Sequence, residues 1–96
     1  MPEKEPLVLE NLLHHPIGNK LWVEAYPTVD SSLALPQYDP DKADVYAKVL
    51  KKGTEVEDVD LGDFVFFKRG TAYKTSDDRY IVREGDIISV VLRENP

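Results

Sequence analysis

From residue 16 onward, glycine, proline or clustered aspartate interrupts the sequence about every 8–12 residues, the spacing of turns between short strands. Most of the segments between these signals carry strand patterns. In residues 17–25, Leu21, Val23 and Ala25 alternate with Lys20, Trp22 and Glu24, a period of two that argues for a strand. Trp22 falls on the otherwise polar face, so that face is predicted to be covered by something. Residues 45–50 form a second apolar run, and Lys51-Lys52-Gly53-Thr54 reads as the turn after it, with Gly53 free to take a positive φ. Residues 55–60 alternate acids with Val56 and Val59. Leu61-Gly62-Asp63 is a further turn, and Phe64-Val65-Phe66-Phe67 reads as a buried strand with its phenylalanines in the core. Residues 72–75 and 79–82 look like a hairpin around Ser76-Asp77-Asp78. The last run, residues 87–92, is apolar at nearly every position, which implies burial on both faces or pairing with another subunit. Five to seven such strands in 96 residues make one all-β domain, a small barrel or sandwich, with no internal repeat.

Two segments stand outside this pattern. In residues 7–15, Leu9, Leu12 and Leu13 recur at helical spacing beside Val8, between Pro6 and Pro16. The reading is a short N-terminal helix or apolar arm over residues 1–15, whose plainest role is to cover part of the core of a domain spanning residues 16–96. Residues 26–44 hold Pro27, Pro36, Pro40 and four aspartates, and no period of 2 or 3.6 survives there. A structureless loop of this length in a compact domain is usually functional or disordered. In its middle lies an apolar tip, Leu33-Ala34-Leu35, ending at Pro36. It either folds back on its own domain or offers the tip to a groove on a partner. A segment that orders only on binding loses conformational entropy, so each copy binds modestly and several copies are needed for a firm grip.

Composition narrows the function classes. The net charge of −6 repels phosphate backbones and anionic lipid, so neither nucleic acid nor a membrane surface is an expected partner. No apolar run approaches the roughly 20 residues of a membrane-spanning helix, and nothing at the N-terminus reads as a signal peptide. The absence of cysteine removes disulfides, thiolate metal sites and cysteine nucleophiles, and fits a reducing compartment. His14 and His15 are adjacent and point in different directions, so they make no chelating pair. No nucleotide-binding, hydrolase or zinc spacing occurs. Asp77 and Asp78 read as turn residues rather than as an acid–base pair. The expectation is therefore no enzyme, no cofactor and no metal.

Five stretches, in this order, resemble the chaperonin-10 (GroES-like) co-chaperonins. Pro16-Ile17-Gly18-Asn19-Lys20-Leu21-Trp22-Val23 is similar to the family's opening strand, and residues 31–36 sit where its mobile loop would be. Ala47-Lys48-Val49-Leu50-Lys51-Lys52-Gly53 resembles the next strand, and Leu61-Gly62-Asp63-Phe64-Val65-Phe66-Phe67 matches a Val-Gly-Asp-x-Val-x-Phe pattern. Residues 80–91 resemble the family's end. The resemblance implies an irregular GroES-like β-barrel, a mobile loop at about 27–44, and a roof region shortened to about 53–60. It implies a homo-oligomer, a seven-membered ring in which the first strand of one subunit meets the last strand of the next. Leu21, Trp22, Val23, Ile88, Val90 and Val91 would then form the subunit interface. Leu33, Ala34 and Leu35 would dock on an ATP-driven, GroEL-like chaperonin ring, capping a chamber in which an unfolded client folds, in the cytoplasm or a host's cytoplasm. Ser31-Ser32 replaces a Gly-Gly pair, and Ala34 replaces a larger side chain, weakening each tip by about 1 kcal/mol. The short roof and altered loop are similar to virus-encoded members. Two other expectations stand beside this one. The first is a structural or assembly protein, such as a virion component, that reuses the barrel without chaperone activity. The second is a small metabolic enzyme on a GroES-like barrel, disfavoured because the chain lacks the cofactor-binding domain such enzymes add.

Overall fold

The computed structural model describes residues 4–28 and 44–92. Among them are six strands: β1 (Lys20–Ala25), β2 (Asp44–Lys52), β3 (Phe64–Lys68), β4 (Tyr73–Ser76), β5 (Arg79–Arg83) and β6 (Ile87–Val91). All pairings are antiparallel, in the order β4-β5-β1-β2-β3-β6. The protein is an all-β sheet. It is not closed: β4 and β6 are its edges and do not pair with one another, so a barrel is not formed by these ladders.

Strict alternation sets the inner face. Leu21 and Val23 of β1, Ala47 and Val49 of β2, Val65 and Phe67 of β3, and Tyr80 and Val82 of β5 form one buried cluster. The registers agree with this: Ala47 lies opposite Val65, and Val23 opposite both Val49 and Tyr80. Phe67 and Tyr80 meet edge-on with ring centroids 6.2 Å apart, the arrangement ring quadrupoles favour.

β2 runs through Lys52, so Lys51 and Lys52 are strand rather than turn. Gly53 is needed for space rather than for handedness. Positive φ occurs at Gly18 (70°) and Gly62 (86°) and not at Gly53. A Cβ on Gly53 would stand 2.1 Å from the Gly18 carbonyl oxygen. Two backbone bonds hold this junction, Gly53 N–H to the Lys20 carbonyl and Glu55 N–H to the Gly18 carbonyl, both 2.9 Å. Residues 53–63 contain no strand. Instead, Val56 and Val59 turn inward and plug one end of the core. The Glu84 carboxylate fixes this plug by accepting from the Glu57 and Asp58 backbone N–H groups at 3.0 and 2.8 Å. Lys52 Nζ adds a bond to the Val59 carbonyl at 3.1 Å.

Among the described residues, the N-terminal segment forms no helix beyond a single 3-10 turn, Leu9–Asn11. From residue 12 it is extended, with Leu12, His14 and Pro16 turned toward the sheet and Leu13, His15 and Ile17 turned away. The helical spacing of the leucines loses here to Pro16 and to the sheet beneath, which gives an extended strap more to contact than a helix.

Candidate interaction surface

The outer face of the sheet carries two aromatic patches. The first centres on Trp22, whose cross-strand neighbours are Lys51 and Ile81. Despite pointing away from the core, Trp22 is only 2% exposed. Its indole Nε1–H donates to Thr75 Oγ1 at 3.1 Å. The His14 ring lies over it at 5.3 Å, and the Arg79 guanidinium sits 5.6 Å from its centroid, within cation–π range. Arg79 also pairs with Glu24 at 3.2 Å and donates to the Glu10 carbonyl at 3.1 Å. One arginine thus joins β1, β5 and the strap. The cover predicted for Trp22 comes from its own chain.

The second patch lies on β2, β3 and β6. Tyr46 and Phe66 are a cross-strand pair with stacked rings 4.8 Å apart, and Tyr26 meets Phe64 edge-on at 5.3 Å. The expectation of three core phenylalanines is corrected here. Only Phe67 faces inward, because successive strand residues point to opposite faces; Phe64 and Phe66 are half-buried on the outside. Tyr46 is 39% exposed and Ile88, on the neighbouring edge strand, 56%.

The six residues expected at a subunit interface fall into two groups. Leu21, Trp22 and Val23 are buried within their own chain, and β1 is flanked on both sides by β5 and β2. Ile88 is exposed, while Val90 and Val91 are half-buried on β6, which among the described residues pairs only with β3. Val90 packs on the core, so the terminal strand is not apolar on account of burial on both faces. Phe66 lies opposite Ser89 and Phe67 opposite Ile87, so Ile88 is the extra residue of a bulge on β6, and it is exposed. Leu33, Ala34 and Leu35, expected to contact a chaperonin, lie outside the described residues. The two ends of their segment are described. Tyr26 N–H donates to the Tyr46 carbonyl at 2.9 Å, so the chain leaves β1 and enters β2 side by side, beside the second aromatic patch.

Among the described residues, no three His, Asp or Glu side chains gather as a metal site. No buried side-chain nitrogen or oxygen lacks a partner there. No helix is long and apolar enough to cross a membrane. No protein-family model matches the chain, and no curated protein is significantly similar to it.

Proposed function

We propose that the chain is a subunit of a GroES-like co-chaperonin ring, most simply a heptamer. The ring caps an ATP-driven chaperonin chamber while a client protein folds, and it binds through Leu33, Ala34 and Leu35. The observation that carries this reading is where the motifs fall. The opening-strand resemblance leads into β1 and covers Lys20 to Val23 of it, Ala47 to Lys52 lie on β2 with Gly53 just after it, Phe64 to Phe67 on β3, and residues 80–91 on β5, the 3-10 turn Glu84–Asp86 and β6. Gly62, from the Val-Gly-Asp-like stretch, takes a positive φ of 86° in the turn before β3, a conformation that favours glycine. The segment bearing the apolar tip is rooted at one end of two adjacent strands, a placement suited to projecting it. In this reading the ladders curl into an irregular barrel completed in the ring, and the chain performs no catalysis, since ATP hydrolysis belongs to the partner.

The test is capture by a chaperonin ring in the presence of nucleotide. The double variant Leu33→Ala/Leu35→Ala should lose capture at least about tenfold, because two buried leucines per tip are removed and the loss is multiplied across tips. Its mass in solution should not change. Undiminished capture refutes the loop assignment. A single-chain mass at every concentration refutes the cap.

The exposure of Tyr46 and Ile88 on the second patch favours a second reading, an assembly protein that keeps the fold without the chaperone role. Hydrogen exchange across residues 28–42 separates the two: fast exchange in the free assembly supports the cap, and protection supports the assembly protein.

A further inference from the structure

The strap and the second aromatic patch are complementary, and within one chain the strap is held over a different part of the sheet. The strap is anchored over β4, β5 and β1, through the Glu10 carbonyl on Arg79 and the His14 ring on Trp22. The patch lies across β2 and β3 and reaches the opposite edge of the sheet at β6. Facing away from its own sheet, the strap shows Leu7, Val8, Leu9, Leu13 and Ile17, each more than half exposed. Five aliphatic side chains in eleven residues is more than scattered surface apolarity requires.

Charge completes the match. Glu5 and Glu10 flank the aliphatic run Leu7-Val8-Leu9 and make no ion pair among the described residues. Strand alternation puts Lys48 and Lys68 on the same outer face as Tyr46 and Phe66, toward opposite ends of that pair. Neither lysine makes an ion pair among the described residues, although Asp44 stands across from Lys68 and Glu24 across from Lys48. Glu24 is already engaged by Arg79. In a chain of net charge −6, an aromatic patch flanked by two lysines without an ion pair among the described residues is a local exception.

We infer that the strap of one copy docks on the Tyr46–Phe66 patch of the next, aliphatic run against stacked rings and Glu5 and Glu10 toward Lys48 and Lys68. The contact is heterologous: it uses two different surfaces, so it propagates head to tail and closes into a ring if the rotation allows. It concerns self-association alone and does not depend on chaperonin binding.

The chain has no cysteine, so single-cysteine variants Leu9→Cys and Tyr46→Cys carry one thiol each. A short bis-maleimide should cross-link an equimolar mixture of the two much faster than either variant alone. Equal cross-linking within each variant alone overturns the head-to-tail contact, as does the absence of cross-linking. A charge exchange sharpens the result. Glu10→Lys and Lys68→Glu should each weaken self-association roughly tenfold by sedimentation, and the double variant should recover most of it. Failure of the double variant to recover, with unchanged urea midpoints in all three, also overturns the contact. Neither set touches Leu33 or Leu35, so loss of chaperonin capture without loss of cross-linking indicts the function and leaves the interface standing.

Discussion

Two aromatic patches share the outer face of one sheet, and they are finished differently. Around Trp22 the chain supplies its own cover: a histidine ring, an arginine above the indole and a threonine for its N–H. Around Tyr46 and Phe66 the rings cover one another and remain half open to solvent. The difference comes from the connections. Residues preceding β1 must pass near β1, and Pro16 keeps them extended, so they lie as a strap across Trp22. Among the described residues no such strap crosses Tyr46, which stays 39% exposed. An outer-face aromatic is therefore structural where the chain crosses it and available where it does not.

Trp22→Ala gives the largest expected effect. It removes a nearly buried indole together with its hydrogen bond and both ring contacts, and should cost about 3–5 kcal/mol in urea unfolding. A loss below about 1 kcal/mol would mean that the strap does not cover the patch in solution. Gly53→Ala comes next, at about 1–3 kcal/mol. The new methyl would collide with the Gly18 carbonyl at the root of the strap, and backbone cannot swing aside as a side chain can. A neutral substitution there would show that the junction of strap and β2 is looser than the 2.9 Å hydrogen bonds imply.

Much of the inner face was legible in the sequence. Leu21, Val23 and Ala25 alternate cleanly and are core, and the turns at residues 61–63, 69–71 and 84–86 each fall on a glycine, with aspartate beside it at the first and last. The errors share a cause. Phe66 and Phe67 read as one apolar block, but a strand must place them on opposite faces, and only the pairing register says which is inside. Gly53 reads as a turn glycine, yet its constraint is a backbone passing within van der Waals distance, which depends on residue 18 and has no local signature. The leucines of the strap have helical spacing, but tertiary contact overrides propensity in so short a segment. Of the expected site, Ile88, Val90 and Val91 lie on a strand that among the described residues pairs with β3 alone, and Leu33 to Leu35 lie outside the described residues. The Tyr46 patch was missed because its members come from three strands, although Tyr46, Phe64 and Phe66 at alternating positions carried the signal.

Arg79→Ala probes the cover more gently. It removes the guanidinium from Trp22, the pairing with Glu24 and the bond to the Glu10 carbonyl. With both ion-pair partners partly buried, the expected loss is about 1–2 kcal/mol. Trp22 is the sole tryptophan, so its emission reports on the strap directly and should shift to the red as water reaches the indole. Destabilisation without that shift would assign Arg79 to holding β5 against β1, with His14 keeping the strap in place unaided.

Tyr46→Ala should have the smallest effect on a dilute, dissociated chain, and the largest contrast between conditions. Tyr46 stacks on Phe66 but lies outside the core, so its removal there should cost under about 1 kcal/mol. If the patch is covered by a neighbouring copy, the same substitution removes a ring from that contact, and its cost should rise with protein concentration because binding stabilises only the folded state. Unfolding midpoints at two widely separated concentrations, for the parent chain and for Tyr46→Ala, measure this difference. A gap that widens with concentration makes the open patch an interface. A constant gap makes it a solvated aromatic pair, and the two halves of the face would then differ in packing alone.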